Sequence, residues 1–130
     1  TEDMNVMRER YGQLARNSDF ATFRKEVPIL ATWDDHDYGV NEAGREYSKK
    51  NESKENFLNF FGDAADSIRR QREGIYCAYN IQSAGRKVQL ILLDLRWFRS
   101  PLKIREDGVY LPNPSPTATL LGDAQWAWLR

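Results

Sequence analysis

The sequence predicts an α/β fold, and three observations carry that expectation. A strand-length apolar run, residues 29–33, stops abruptly at a cluster of charge. Stretches with helical spacing precede and follow it. Two further runs, 75–81 and 88–95, are separated by the turn Ser83-Ala84-Gly85-Arg86, which is the pattern of a hairpin.

Taken in order, Met4, Met7, Tyr11 and Leu14 share one face at helical spacing, so a helix is expected over 4–14. Asn17-Ser18-Asp19 breaks that pattern, and Asp19 is placed to cap a second short helix through Glu26. Pro28 ends it, because the residue before a proline avoids the helical region. Residues 29–33 (ILATW) then read as a buried, parallel strand. Residues 38–44 (YGVNEAG) read as a loop, and 48–61 as a helix with Gly62 as its C-cap. Residues 66–72 are polar and short enough for one or two helical turns. Of the hairpin strands, 88–95 is the more apolar and is expected to be the more buried. Three prolines and Asp107-Gly108 make 105–119 an extended excursion. A last helix is expected to start at 120–123, with Trp126 and Leu129 on its buried face. Nothing marks a second domain or an internal repeat.

The chain has 130 residues, 41% hydrophobic and 29% charged, a globular balance rather than a disordered one. Nineteen basic residues match nineteen acidic ones, which argues against a nucleic-acid binder that works by neutralising phosphates. No stretch approaches the roughly 20 apolar residues of a membrane span. Cys77 is alone, so there is no internal disulfide, and its alternating neighbours place it on a strand as a packing residue. Trp97, Trp126, Trp128 and the cluster Phe57 to Phe61 likewise read as packing residues.

Chemistry is expected at Asp34, Asp35, His36 and Asp37, three carboxylates and the only histidine in four positions. Ligands bind beyond the carboxyl ends of strands in open α/β sheets. Mixed carboxylate and imidazole donors suit zinc, manganese and iron, whereas carboxylates alone favour magnesium or calcium. Neighbouring residues cannot all point one way, so one or two ligands are expected from the four. The plainer alternative is a polar turn whose aspartates cap a helix. Asp94 and Arg96 form a second candidate pair: either Arg96 grips a phosphate, bidentately, or the two residues pair with each other or with neighbours at the sheet end. Asn41 and Arg45, in the loop after the cluster, are candidates to line a substrate site.

PILATWDDHDYGVNEAG (28–44), GIYCAYNI (74–81), VQLILLDLRWFRSPL (88–102) and LLGDAQWAWL (120–129) together resemble, in order, the metal-binding segment, hairpin strand, Asp-x-Arg strand and signature helix of PhoD-like phosphatases. That family resembles the calcineurin-like metallophosphoesterases. The resemblance implies a two-sheet αββα sandwich with flanking helices, of which residues 1–130 would be an internal segment incomplete at both ends. It implies hydrolysis of phosphate mono- or diesters using two divalent or trivalent metal ions, drawn from iron, calcium, zinc, manganese and magnesium. Those relatives carry Asn-His where this sequence has Asp35-His36. Asp35 would therefore be a metal ligand and His36 a catalytic group beside the leaving oxygen. Asp34 and Asp37 would ligate or orient, and Arg96 would act on the phosphoryl group. Family ligands lying upstream and downstream have no counterpart among these residues, so the 130 residues alone are expected to be inactive. An extracytoplasmic location is the expectation for bacterial relatives. Two alternatives stand beside this: a non-catalytic binding or structural module on the same fold, and a phospholipase D-like diesterase.

Overall fold

The structure is a computed structural model describing residues 1–130. Its elements run α1 (Met4–Arg16), α2 (Ser18–Glu26), α3 (Asp35–Tyr38), α4 (Lys50–Phe61), α5 (Ile68–Gln71), β1 (Cys77–Ser83), β2 (Arg86–Leu92), β3 (Lys103–Ile104), β4 (Tyr110–Leu111) and α6 (Gly122–Leu129). Helices and short strands are mixed, as an α/β chain requires. The strands form two separate two-stranded antiparallel sheets, β1–β2 and β3–β4, rather than the layers of a sandwich. No helix is long and apolar enough to cross a membrane.

Caps explain the helix limits. The Asp3 carboxylate accepts the Asn5 and Val6 N–H groups and starts α1. Asn17, not Asp19, caps α2, its Oδ1 accepting the Phe20 N–H at 2.9 Å. Asn17 also closes α1, so one residue serves both helices and leaves Asp19 inside the first turn. Gly62 ends α4 with φ +79°, a left-handed conformation that glycine takes without a Cβ penalty.

Two strand expectations are corrected. Residues 29–33 form no strand. No peptide ladder reaches them, and side chains supply the cross-chain bonds: Thr32 Oγ1 donates to the Leu93 carbonyl at 2.9 Å, Trp33 Nε1 donates to Asp94 Oδ1 at 2.9 Å, and Arg69 Nη2 donates to the Ala31 carbonyl at 3.2 Å. The second hairpin strand ends at Leu92, and it is exposed along most of its length rather than buried. In the β1–β2 register Tyr79 faces Leu90 and Ile81 faces Val88, an apolar face with only its own partner strand beside it.

The core lies elsewhere. Trp33, Tyr38, Tyr47, Phe57, Leu58, Ile75 and Trp97 pack into one buried cluster. Trp33 meets Tyr38 and Phe57 edge-on and stacks on Trp97 at 6.4 Å. Helix α1 docks on α4 through Tyr11, stacked on Phe60 at 4.5 Å. Leu14, expected on the packed face of α1, is exposed. On α6 the buried residues are Gly122 and Gln125, while Trp126 is exposed and Trp128 packs on Tyr76. Cys77 is buried on β1, as its sequence neighbours imply.

Candidate functional site

Asp34 to Asp37 form the start of the single-turn helix α3, directly after the buried Trp33. The turn is held by its own acids. Asp37 Oδ1 accepts the Asp34 N–H at 3.0 Å, as a residue at the third helical position does when it reaches back to the cap. Asp35 Oδ1 accepts its neighbour's N–H from His36 at 2.8 Å, and Oδ2 accepts the Glu42 N–H at 3.1 Å. Asp35 thereby fixes the loop that follows.

That loop turns on Glu42, which adopts φ +53°. Arginines 96 and 99 converge on it. Arg96 Nη1 donates to Glu42 Oε2 at 3.1 Å and Arg99 Nη1 donates to the same oxygen at 2.7 Å, while Arg99 Nη2 also bonds the Glu42 carbonyl. Arg96 Nε donates to Asp34 Oδ1 at 3.2 Å, and its Nη2 bonds the same oxygen. Both arginines are more than nine-tenths buried. Gly44 fits beneath them, since a Cβ there would lie 2.6 Å from the Arg99 carbonyl.

The charges bias each other. Hydrogen bonding from Arg99 holds the Glu42 carboxyl below the usual range, against a smaller upward push from burial, and Arg96 adds to the lowering. For Asp35, partial burial pushes upward but is outweighed by the N–H groups of Glu42 and His36 and the charge of Arg96, leaving it lowered. Burial alone would lower Arg96; its bonds to Asp34 and Glu42 raise it instead.

Asp94 does not pair with the Arg96 guanidinium. It is fully buried and accepts four N–H groups. Oδ1 takes Trp33 Nε1, Arg96 N and Trp97 N, and Oδ2 takes Ile75 N, all at 2.9 Å. The Gln125 amide completes the arrangement, accepting the Asp94 N–H and donating to the Asp94 carbonyl, both at 2.8 Å. A side chain thus stands in for a neighbouring strand.

The remaining candidates are dispersed. His36 is exposed, makes no side-chain hydrogen bond and borders a groove of about 560 Å³ with Tyr11, Arg10 and Asp37. Asn41 borders a different concavity with Tyr47 and Tyr110, and Arg45 a third with Lys50 and Trp97. The structure therefore joins Asp34, Asp35 and Arg96, and leaves His36, Asn41 and Arg45 apart. Glu42 and Arg99 belong to the joined group, although no motif singled them out. Arg99 lies three residues beyond Arg96, a spacing that offered the one available signal.

Comparison with known families defines the class: a hydrolase acting on phosphate esters. The model of the PhoD-like phosphatase family matches residues 1–130, the whole chain, and the chain belongs to that family. Searches among curated proteins and among solved structures found no match. Members of the family are generally metal-dependent. The donor types at Asp34 to Asp37 are right for such a metal, but their geometry does not make a centre. No three ligand-type side chains converge anywhere in the chain, and Asp34 and Asp35 are turned to Arg96 and to backbone N–H groups.

Proposed function

We propose that the protein to which these residues belong hydrolyses phosphate mono- or diesters with metal ions, and that Asp35 is one of the metal ligands. The observation that carries this is the state of Asp35. The N–H groups of His36 and Glu42 fix the direction of its carboxylate, and it lies in the acidic turn of a chain that the family model matches throughout. A carboxylate oriented in advance spends little on ordering when a cation arrives. Ligands beyond Asp35, with Asp34 as a candidate, would come from outside this cluster, and the exposed apolar face of β1–β2 fits a hairpin that belongs to a larger, two-layer sheet.

Arg96 carries positive charge next to Asp34 and Glu42, where a phosphoryl group would compete with those carboxylates for the guanidinium. His36, exposed and free of side-chain hydrogen bonds, would pass a proton to the leaving oxygen. Asn41 and Arg45 would serve as outlying substrate contacts. A non-catalytic module is the competing reading, favoured by the lack of converging ligands and by the full engagement of Arg96 and Arg99.

Metal analysis of the purified full-length polypeptide, with hydrolysis of an aryl phosphate and a bis-aryl phosphate, decides between them. Asp35→Ala is expected to lose metal and activity together. His36→Ala is expected to keep its metal and lose about 10²–10⁴ in rate. Full metal content and full activity in Asp35→Ala would overturn the assignment. Metal-free, inactive wild-type protein would favour the module.

A further inference from the structure

Three consecutive residues, Thr32, Trp33 and Asp34, each bond through their side chains to the segment 93–96. Thr32 reaches the Leu93 carbonyl, Trp33 reaches the Asp94 carboxylate, and Asp34 receives the Arg96 guanidinium. The middle rung is the only one shut away from water, with Trp33 4% exposed and Asp94 0%. It is also the one that touches both sides of the candidate site. One oxygen of Asp94 binds the indole of the residue immediately before Asp34 and the backbone N–H of Arg96 itself.

We infer that Asp94 is a positioning residue for the phosphate-ester chemistry, acting through the Trp33 indole to fix Asp34 and through the Arg96 N–H to fix the guanidinium that meets it. This rests on the functional reading above. The physical argument concerns what the chain would do without the tether. Residues 29–33 have no backbone ladder, so the packing of Trp33 and bonds made by side chains set where Asp34 emerges. Residues 93–96 lie beyond the end of β2, and the Gln125 amide satisfies the Asp94 peptide rather than a strand partner. Two irregular segments that must present opposite charges at hydrogen-bond distance need a common anchor, and a buried carboxylate accepting from both is that anchor. Stacking of Trp33 on Trp97, whose N–H binds the same Asp94 oxygen, fixes the rotation of the indole as well. The Ile75 N–H holds the other oxygen in place at 2.9 Å, and Gly74 before it leaves the room a Cβ would take.

The test uses the full-length polypeptide with its metals and two readouts. The first is the Arg96 Nε–H resonance, identified by its loss in Arg96→Met. In the wild type, bonded to Asp34, it is expected to exchange slowly. The second is kcat/KM for an aryl phosphate in a double-mutant cycle. Trp33→Phe keeps an aromatic ring in the core while deleting the indole donor and one ring of the pair, so it serves if Asp94→Asn fails to fold. Trp33→Phe is expected to shift the Arg96 resonance, speed its exchange and lower kcat/KM on the order of 10-fold, with no further loss in an Arg96→Met background. An unchanged resonance, or losses that multiply in that background, would overturn the inference. Absence of hydrolysis by the wild type would sink the hydrolase reading alone. The Arg96 resonance in Trp33→Phe would still decide the tether.

Discussion

Two apolar runs in this chain end on an aspartate, and the two aspartates have opposite fates. Asp94 follows 88–93 and is fully buried, with four N–H donors on its two oxygens. Asp34 follows 29–33, and its side chain is 79% exposed, with a single guanidinium as partner. Both runs are strand-length and mostly apolar, ILATW before Asp34 and VQLILL before Asp94. What separates the residues is the number of donors that the fold delivers. Burying a carboxylate costs several kcal/mol unless it is hydrogen-bonded, and four donors offset that cost. One guanidinium, itself buried, does not draw the Asp34 carboxylate out of water. Asp94 is therefore committed to holding the chain together, and Asp34, facing water, keeps room for chemistry.

The sharpest way to break the comparison is to remove the buried acid. Asp94→Ala leaves Trp33 Nε1 and the N–H groups of Ile75, Arg96 and Trp97 without acceptors. At about 1–3 kcal/mol for each buried group left unpaired, the sum approaches the whole stability of a small protein. With 25 of 130 residues buried, there is little reserve to absorb it. The expected result is loss of cooperative urea unfolding and of near-ultraviolet circular dichroism. A cooperative transition with an unchanged midpoint would show that the donors find water. Gly74→Ala is the next largest expected effect. Gly74 has φ +74°, and a Cβ there would lie 3.0 Å from Asp94 Oδ2 and 3.2 Å from the Phe98 ring. Strain from the left-handed backbone and crowding of the carboxylate together are expected to cost about 1–3 kcal/mol, read as a lower urea midpoint.

Why the sequence showed one aspartate's surroundings better than the other's follows from where the partners lie. Helices α1, α2 and α4 were legible because periodicity is local, whereas the single turn of α3 and the Asn17 cap of α2 were not. The hairpin turn was legible for the same reason. The expected strand at 29–33 failed because a strand is a property of a pair, and no peptide ladder reaches these residues. Gln125, which satisfies both peptide groups of Asp94 from 31 positions away, carries no periodic signal at all. The acidic cluster itself was legible as a motif. Its clasp was not, because Glu42 and Arg99 are ordinary charged residues until the loop after Asp35 turns back on the strand end. His36 shows the converse. Adjacent to Asp35 in sequence, it faces a different groove, as neighbouring residues in a helical turn must.

The exposed side of the comparison is sharpened by pH. Glu42 and Asp35 both titrate below their ordinary values in the folded chain, the first chiefly through its bond from Arg99 and the second through backbone N–H groups that outweigh burial. The unfolded chain therefore binds protons first as pH falls. The stability these groups contribute is fully present above the ordinary carboxylate range and is lost as pH drops through the folded values. Because both groups are largely screened by solvent, the loss is expected to be about 1 kcal/mol in all. Urea midpoints should be flat from pH 7 to about 5 and fall below about 4. Glu42→Gln should flatten part of that fall. A midpoint that declined instead between pH 7 and 5 would place the titrating group elsewhere.

The smallest expected effect belongs to the acid nearest the chemistry. Asp34→Ala removes a carboxylate whose partner, Arg96, keeps a second acceptor in Glu42. The Asp34 end of the pair is open to water and the buried Arg96 keeps Glu42, so the loss is expected to stay near the ~0.2–1 kcal/mol of a solvent-screened pair and the urea midpoint should barely move. If Asp34 were as structural as Asp94, its loss would instead leave a buried guanidinium unpaired and cost several kcal/mol. A small stability change beside a large loss of phosphate-ester hydrolysis in the full-length polypeptide is the outcome that separates the two aspartates. Equal losses in both measurements would merge them, and would mean that Arg96 depends on Asp34 for its fold rather than lending it to a substrate.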